Sequence, residues 1–208
     1  MAQFFAIHPT HPQARLVSRA TDIVKKGGVM VYPTDSCYAL ACQLGEKSAE
    51  DRMRTIRGID ETHHFTLVCR DLAEISRYAK VDNVQFRLLK ANTPGSYTFI
   101  LPATGRVPKR LHYPKRNTIG LRVPEHPVAQ ALLGELAAPL WSTSLVLPGE
   151  TEALSDPESI RERLEHQVDV IIDSGNCGLE LTSIIDLTSG EPQLIREGKR
   201  DLQPFRLR

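Results

Sequence analysis

The chain has 208 residues, of which 41% are hydrophobic and 25% are charged. This composition is typical of a folded globular protein and excludes an intrinsically disordered chain. The formal net charge of +1 at pH 7 excludes nucleic-acid binding through bulk positive charge, so any such contact needs a local patch. No window reaches the length of a membrane span, and the first residues lack the pattern of a signal peptide. We therefore expect a cytoplasmic protein without membrane contact.

The cysteines and histidines show no metal-binding pattern. Cys37, Cys42, Cys69 and Cys177 form no CxxC pair and lie among apolar residues, which favours reduced thiols. The seven histidines form no HExxH motif, so no dedicated metal site is expected.

Helical and strand patterns alternate along the chain. Apolar periodicity and cap signals predict helices at residues 13–26, 48–57 (capped by Ser48 and ended by Gly58), from Asp71, from Asp82, at 128–137 and from Asp156 to about 167. Strands are predicted at residues 28–32, 37–42, 65–69, 96–101, 118–123, around Trp141, and at 168–173, 183–187 and 193–196. Several strands follow one another directly. We therefore predict an α/β fold (α+β-like) with a mixed parallel and antiparallel sheet and packed helices, in one domain spanning residues 1–208.

Polar residues stand at the ends of several predicted strands. No Walker A or GxGxxG sequence is present, so the usual phosphate loops are excluded. The turn Thr34-Asp-Ser36 presents two hydroxyls and a carboxylate; it is either part of a binding cleft or an ordinary turn in which Asp35 bonds nearby backbone. Arg54 and Arg57 share a helix face, as in a phosphate clamp or on a solvated basic surface.

Later strands carry the same kind of signal. Arg122 interrupts an apolar strand and should meet an anion or a carboxylate, because an unpaired buried charge is costly. The hydroxyls of Ser142-Thr-Ser144 either line a ligand cleft or form the polar rim of a sheet. Polar side chains converging from strand ends are a common way to build a small-molecule site.

In chain order these motifs resemble one family. They are Tyr32-Pro-Thr-Asp35, Arg57, Thr93-Pro-Gly-x-x-Thr98, Gly120-x-Arg-Val-Pro124, Ser142-Thr-Ser144, Thr182-Ser-Ile-Ile-Asp186 and Arg196-Glu-Gly198. The chain resembles the threonylcarbamoyl-AMP synthase family (YrdC/YciO-like), most closely its YciO branch, over about residues 10–208. The resemblance implies a single YrdC/RibB-like domain with a twisted, open mixed sheet and a deep, concave, positively charged cleft.

The resemblance also implies an activity and a set of binding residues. Synthases of the family condense L-threonine, bicarbonate and ATP, with magnesium held by phosphate oxygens, into threonylcarbamoyl-AMP for tRNA modification. Relatives are linked to double-stranded RNA. The implied nucleotide-binding residues are Arg57, Ser144 and Arg196, and the implied substrate-binding residues are Thr34, Thr98, Arg122, Ser142 and Thr182. No catalytic residue is assigned, and no protein metal site or prosthetic group is expected.

Two positions depart from the synthase pattern. The family's Lys-x-Arg reads Thr55-Ile-Arg57, and its Ser-x-Asn reads Ser144-Leu-Val146. Such losses cost a nucleotide about 2–5 kcal/mol of binding in total, unless Arg52 or Arg54 replaces the lysine. A milder change puts Cys69 where many members have histidine.

Three functional hypotheses therefore stay open. The first is a synthase or an enzyme of related nucleotide chemistry. The second is a non-catalytic nucleotide or double-stranded RNA binder that uses the basic residues Lys109, Arg110, Lys115 and Arg116. The third is a hydrolase of a carbamoyl or adenylyl compound, in which Asp35 orients a water.

Overall fold

Ten strands form one sheet in the computed structural model, which describes residues 1–113 and 116–205. The strands are β1 (Gln3–Ala6), β2 (Met30–Tyr32), β3 (Ala39–Gln43), β4 (Thr66–Val68), β5 (Tyr97–Pro102), β6 (Thr118–Arg122), β7 (Leu140–Ser144), β8 (Val170–Asp173), β9 (Ser183–Asp186) and β10 (Gln193–Arg196). The helices are α1 (Ala14–Lys25), α2 (Lys47–Arg57), α3 (Leu72–Tyr78), α4 (Asn83–Asn92), α5 (Pro127–Leu136) and α6 (Pro157–Leu164).

The sheet is open and mixed, as predicted. Its strand order is β1-β8-β2-β3-β7-β4-β6-β5-β9-β10. The three strand pairs that follow one another in sequence, β2 with β3, β5 with β6 and β9 with β10, are antiparallel neighbours. Parallel pairing joins β1 to β8, β8 to β2, β4 to β6 and β5 to β9. Strand β1 was not predicted, because it is short and buries only Phe5 fully.

Helices cover the two faces of the sheet unequally. Helices α1 and α5 pack together on one face, against side chains of β1, β8, β2 and β3 such as Phe5, Met30 and Ala41. The opposite face packs against α2, α3, α4 and α6 through Met53, Ile75, Leu89 and Ile160, among others. Beyond α1 and α5, residues of β7, β4, β6, β5 and β9 line a cavity instead.

Most predicted helix caps are confirmed. Asp82 accepts from the backbone N–H groups of Val84 and Gln85 in a capping box, and Asp71 and Asp156 also cap their helices. Gly58 ends α2 with φ 60°. The prediction that Ser48 caps α2 is wrong. The helix begins one residue earlier, and the Ser48 hydroxyl donates to the Glu46 carboxylate at 3.0 Å.

Two further observations concern the cysteines and the helices. All four cysteines are free thiols, and three of them are buried. Within residues 1–113 and 116–205, no helix has the length and apolar character needed to cross a bilayer.

Substitutions at Asp82 and Ser48 test the assignment that Asp82 caps its helix and Ser48 does not. We expect Asp82→Ala to lower the free energy of unfolding by about 1 kcal/mol, because two backbone N–H groups lose their acceptor. The matched Ser48→Ala change should stay within about 0.5 kcal/mol of the parent. Urea denaturation of both variants measures the difference, and an equal loss at the two positions would contradict the assignment.

Candidate functional site

All eight predicted binding residues line one cavity of about 310 Å³. They are Thr34, Arg57, Thr98, Arg122, Ser142, Ser144, Thr182 and Arg196. The lining includes three arginines and two histidines, His63 and His64. No carboxylate occurs among the described residues that line the cavity. The cavity wall is suited to an anionic ligand.

A buried ion pair holds Arg122 at the end of β6. Its Nη2 donates to Asp35 Oδ1 at 2.6 Å and its Nη1 to Ser36 Oγ at 3.2 Å. The two charged side chains are only 8% and 10% exposed. The sequence-based expectation that Arg122 meets a carboxylate is confirmed. Arg122 Nε is buried and has no partner within the described residues, so one donor of this guanidinium is unused.

Asp35 is held by three neighbours. Besides the ion pair, Ser96 Oγ donates to its Oδ2 at 2.6 Å, and Lys199 donates to its backbone carbonyl. Burial acts to raise the pKa of this carboxyl, but Arg122 and Ser96 outweigh burial and leave the pKa lowered. Asp35 is thus an ionised structural anchor, with both carboxylate oxygens accepting from protein groups.

The end of α2 places Arg57 in the cavity. Its Nη1 donates to Thr143 Oγ1 at 2.8 Å and to the backbone carbonyl of Ser144. A side chain at Gly58 would have its Cβ 2.8 Å from Pro148, so glycine is required where α2 meets the segment after β7. Burial lowers the pKa of Arg57, and its Nε has no partner among the described residues.

The other arginines of α2 point elsewhere. Arg54 binds Glu50 at 3.1 Å and lies over the Phe65 ring, and Arg52 binds Asp169 at 2.8 Å. Neither of these two arginines is among the residues that line the cavity. Thr55 is exposed on another side of the helix, and its hydroxyl donates to the Asp51 carbonyl.

Arg196 lies at the end of β10 and binds Thr182. Its Nε and Nη2 donate to the Thr182 carbonyl at 3.2 and 3.0 Å, and the Thr182 hydroxyl lies 2.9 Å from that of Thr98. The following residues pass very close to β9: a Cβ at Gly198 would lie 2.4 Å from the Leu181 carbonyl oxygen. This close approach requires glycine and brings Lys199 to Asp35.

Several cavity hydroxyls are used inside the protein. Thr34 Oγ1 donates to the Cys37 carbonyl at 2.7 Å and accepts from the backbone N–H groups of Ser36 and Cys37. Ser142 Oγ donates to the Leu40 carbonyl at 2.9 Å, which leaves it to accept from Tyr32 Oη at 3.0 Å. Thr34 and Ser142 therefore shape the wall of the cavity through the protein's own hydrogen bonds.

The segment Ser142–Ser144 is not a sheet rim. It belongs to β7, which lies inside the sheet between β3 and β4. Ser142 and Ser144 line the cavity, and so does Val146, the apolar residue that replaces the family asparagine. Cys69, which the resemblance places where many family members have histidine, is buried in the core and lies outside the cavity wall.

The sequence did not indicate three other cavity residues, His63, His64 and Tyr113, whereas Thr143 belongs to the hydroxyl segment that it did indicate. The His64 and Tyr113 rings stack with centroids 3.8 Å apart, and Tyr113 Oη lies where a side chain at Gly120 would be. The two histidines occupy an irregular loop between α2 and β4, where neither periodicity nor a motif marks them.

The cavity wall is not built to hold a metal ion by itself. Its described lining residues offer hydroxyls and cations but no carboxylate, and the described part of the chain has no cluster of potential metal ligands. Magnesium prefers oxygen ligands, so a magnesium ion in this cavity would be bound chiefly by oxygens of the ligand.

The Arg122–Asp35 pair predicts a pH-dependent effect on stability. Asp35→Asn should lower the free energy of unfolding by about 3–5 kcal/mol at neutral pH, because Arg122 stays buried without its counter-charge. The pKa of Asp35 is lower in the folded state than its ordinary value, so the pair stabilises above that ordinary value. This contribution is lost as the pH falls through the folded-state pKa, and the gap between parent and variant should narrow in acid.

The control for this prediction is Asp51→Asn, which breaks an exposed pair with Lys47. Exposed pairs contribute little, so this variant should match the parent at every pH. Chemical denaturation between pH 3 and pH 8 follows both variants. A gap for Asp35→Asn that does not change with pH would contradict the ionised assignment.

A second prediction concerns the close contact at Gly120. Gly120→Ala places a Cβ 2.6 Å from Tyr113 Oη, so we expect a loss of about 1–3 kcal/mol and displacement of the Tyr113–His64 stack. Gly134→Ala meets open space in α5 and should stabilise by up to about 1 kcal/mol. Urea denaturation and near-ultraviolet circular dichroism report the two effects, and unchanged spectra for Gly120→Ala would contradict the contact.

Comparison with known proteins shows what the chain is similar to. The sequence model of the Sua5/yciO/yrdC family, described as "Telomere recombination", matches residues 22–198. YciO of Escherichia coli (strain K12) is 57% identical over 205 residues, covering 99% of this chain and 100% of that protein. A threonylcarbamoyl-AMP synthase of Vibrio vulnificus (strain YJ016) is 31% identical over 163 residues, covering 76% of this chain and 87% of that protein.

Solved structures give the same result for the fold. The crystal structure of E. coli YciO matches with a TM-score of 0.95 at 56% identity, covering 99% of this chain and 100% of that one. P. abyssi Sua5 complexed with L-threonine matches with a TM-score of 0.88 at 22% identity, covering 96% of this chain and 58% of that one. At this lower identity the likeness shows the fold alone.

Proposed function

Because the chain belongs to the Sua5/YciO/YrdC family, we propose that its cavity binds ATP and L-threonine and forms threonylcarbamoyl-AMP with bicarbonate, as a step in tRNA modification. The observation that carries this proposal is the convergence of Arg57, Arg122 and Arg196 on a cavity without a carboxylate among its described lining residues. The likeness to a threonylcarbamoyl-AMP synthase and to a threonine-bound Sua5 supports it.

The proposed reaction has two bond-forming steps. The threonine amine and bicarbonate form a carbamate, in which a nitrogen–carbon bond replaces a carbon–oxygen bond and water leaves. A carbamate oxygen then attacks the α-phosphorus of ATP, and the phosphorus–oxygen bond to pyrophosphate breaks. Negative charge grows on the phosphate oxygens, and fixed guanidinium groups stabilise such charge. We assign this role to Arg57 and Arg196, whose half-buried guanidinium groups are positioned by Thr143 and Thr182.

The other arginine is assigned to the amino acid. Arg122 is oriented by Asp35 and keeps its Nε free of protein partners within the described chain. It can therefore bind the threonine carboxylate, with Thr34, Thr98, Ser142 and Thr182 forming the surrounding wall. A magnesium ion arriving with ATP would neutralise phosphate charge, held by phosphate oxygens and water.

A pyrophosphate-release assay tests the proposed activity. Release should require ATP, L-threonine and bicarbonate together, and replacing Arg57 or Arg196 by alanine should lower the rate by about 100-fold or more. Arg52→Ala serves as the control, because Arg52 lies outside the cavity and binds Asp169. No turnover above a blank at millimolar substrates would remove the synthase proposal.

A second candidate function is nucleotide binding without the synthase chemistry. Val146 in the cavity wall favours it, because an apolar side chain there cannot supply the hydrogen bond of the family's asparagine. The RNA form of this candidate has less support. Arg110 binds Glu50 and Arg116 lies 3.5 Å from Asp186, which partly neutralises the basic run, and Lys115 lies outside the described residues.

The hydrolase alternative finds no support in the geometry. It requires Asp35 to orient a water, but one oxygen of Asp35 binds Arg122 and the other accepts from Ser96. Asp35 is also not among the residues that line the cavity.

Restoring the amide provides a gain-of-function prediction. Val146→Asn should strengthen ATP binding by about two- to tenfold, the worth of one added hydrogen bond. Val84→Asn makes the same change on the exposed surface of α4 and should leave affinity unchanged. Calorimetric titration with ATP, with and without L-threonine, measures both. Equal affinities for parent and Val146→Asn would show that residue 146 does not contact the nucleotide.

A further inference from the structure

His63 lies in the cavity wall beside Arg57. The imidazole Nε2 is 3.5 Å from Thr143 Oγ1, the same oxygen that accepts a hydrogen bond from Arg57 Nη1. Since Thr143 accepts from Arg57, its own hydroxyl hydrogen is free to point at His63, whose Nε2 then acts as the acceptor of a neutral ring. A shared threonine thus joins the histidine and the arginine on one side of the cavity.

The groups whose charge shifts the pKa of the His63 ring are all cationic or able to become so. Helix α2 contributes Arg57 and Arg54, β10 contributes Arg196, and the adjacent loop residue is His64. Strand β7 contributes the neutral Thr143, and the Phe65 ring packs edge-on with its centroid 6.2 Å from that of His63. Two carboxylates are near: Asp60, in the same loop, bonds the backbone N–H of His63, and Glu50 is paired with Arg54. Neither is among the groups that shift the pKa of the His63 ring. Burial and these neighbours lower the pKa of His63 to about 4.

A bound anion would favour the protonated form of His63 over the neutral form. A phosphate entering beside Arg57 brings negative charge next to the imidazole, and an opposite charge at such range favours the protonated form. Once protonated, His63 Nε2 can no longer accept a hydrogen bond from Thr143. Its N–H can donate to a phosphate oxygen instead. Thr55, where the family pattern has lysine, is exposed outside the cavity, so the wall lacks that cation.

We propose that His63 is a phosphate-binding residue of this cavity, which takes up a proton as the phosphate enters and supplies the cation that residue 55 does not. The inference rests on the proposed function, in that the ligand carries a phosphate group. It adds a binding residue and a coupled proton that the sequence resemblance does not assign.

The proposal predicts that binding and protonation are linked. If the complex contains protonated His63 and the free protein contains the neutral ring, ATP affinity must rise as the pH falls. Uptake of one proton raises the affinity by at most about tenfold for each pH unit. ATP also titrates by itself, so the informative quantity is the difference between the parent and His63→Asn, which keeps a polar side chain but cannot become cationic.

Calorimetric titration with ATP, repeated in buffers of different ionisation enthalpy, counts the protons taken up. At pH 7 the parent should take up about half a proton to one proton more per ligand than His63→Asn. At pH 6 the variant should bind about tenfold more weakly, and the two should converge above pH 8. His166→Asn, which changes an exposed histidine beside Glu165, is the matched control and should behave as the parent.

A second variant, His63→Lys, distinguishes loss of the positive charge from a general disturbance of the fold. His63→Lys carries a permanent cation, so it should bind ATP well at pH 8 and show no extra proton uptake. Inorganic pyrophosphate serves as a second probe, because it offers the phosphate without the nucleoside. Imidazole nitrogen shifts in NMR spectra should show His63 neutral alone at pH 7 and protonated with either ligand.

The outcomes distinguish this inference from the proposed function. ATP binding with equal proton uptake in the parent and His63→Asn would overturn the role of His63 and leave the nucleotide site intact. An imidazole that stays neutral in the complex would do the same. Failure of the parent to bind either ATP or pyrophosphate would overturn both.

Discussion

The organisation of the cavity depends on a buried ion pair between Arg122 and Asp35. A charge inside an apolar sheet is tolerated only when it is paired and hydrogen-bonded. This requirement brings the loop after β2 against the end of β6, and Ser96 at the start of β5 completes the coordination of Asp35. The pair therefore fixes the relative positions of three chain segments before any ligand is considered.

The protein does not neutralise the other two arginines of the cavity. Both carboxylate oxygens of Asp35 already accept from Arg122 and Ser96, and the described cavity wall contains no carboxylate. Among the described residues, only neutral hydroxyl and carbonyl oxygens bind Arg57 and Arg196. Neutral partners orient a guanidinium but do not cancel its charge, so the positive potential is preserved for a ligand. Burial, together with this excess of positive charge, lowers the pKa of His63 and keeps its ring neutral without a ligand.

The sequence predicted the parts of this site that local patterns can encode. Arg122 was expected to meet a carboxylate because it interrupts an apolar strand, and its position in the cavity was expected from the ordered motifs. The identity of its partner depended on the sheet order, which no local pattern specifies. His63 was missed because a loop histidine has neither periodicity nor a motif. The sequence left open whether Arg52 or Arg54 serves the cavity, because their partners, Asp169 and Glu50, are set by tertiary packing.

The site depends on contacts between segments that lie far apart in the sequence. Arg196 binds Thr182, and Lys199 reaches back over 164 residues to the backbone carbonyl of Asp35. A nascent chain that has already formed most of its strands still lacks one arginine of the site and the support of the Asp35 loop. A ligand therefore meets the assembled site only after residues 196–199 have been synthesised and have packed against the earlier strands.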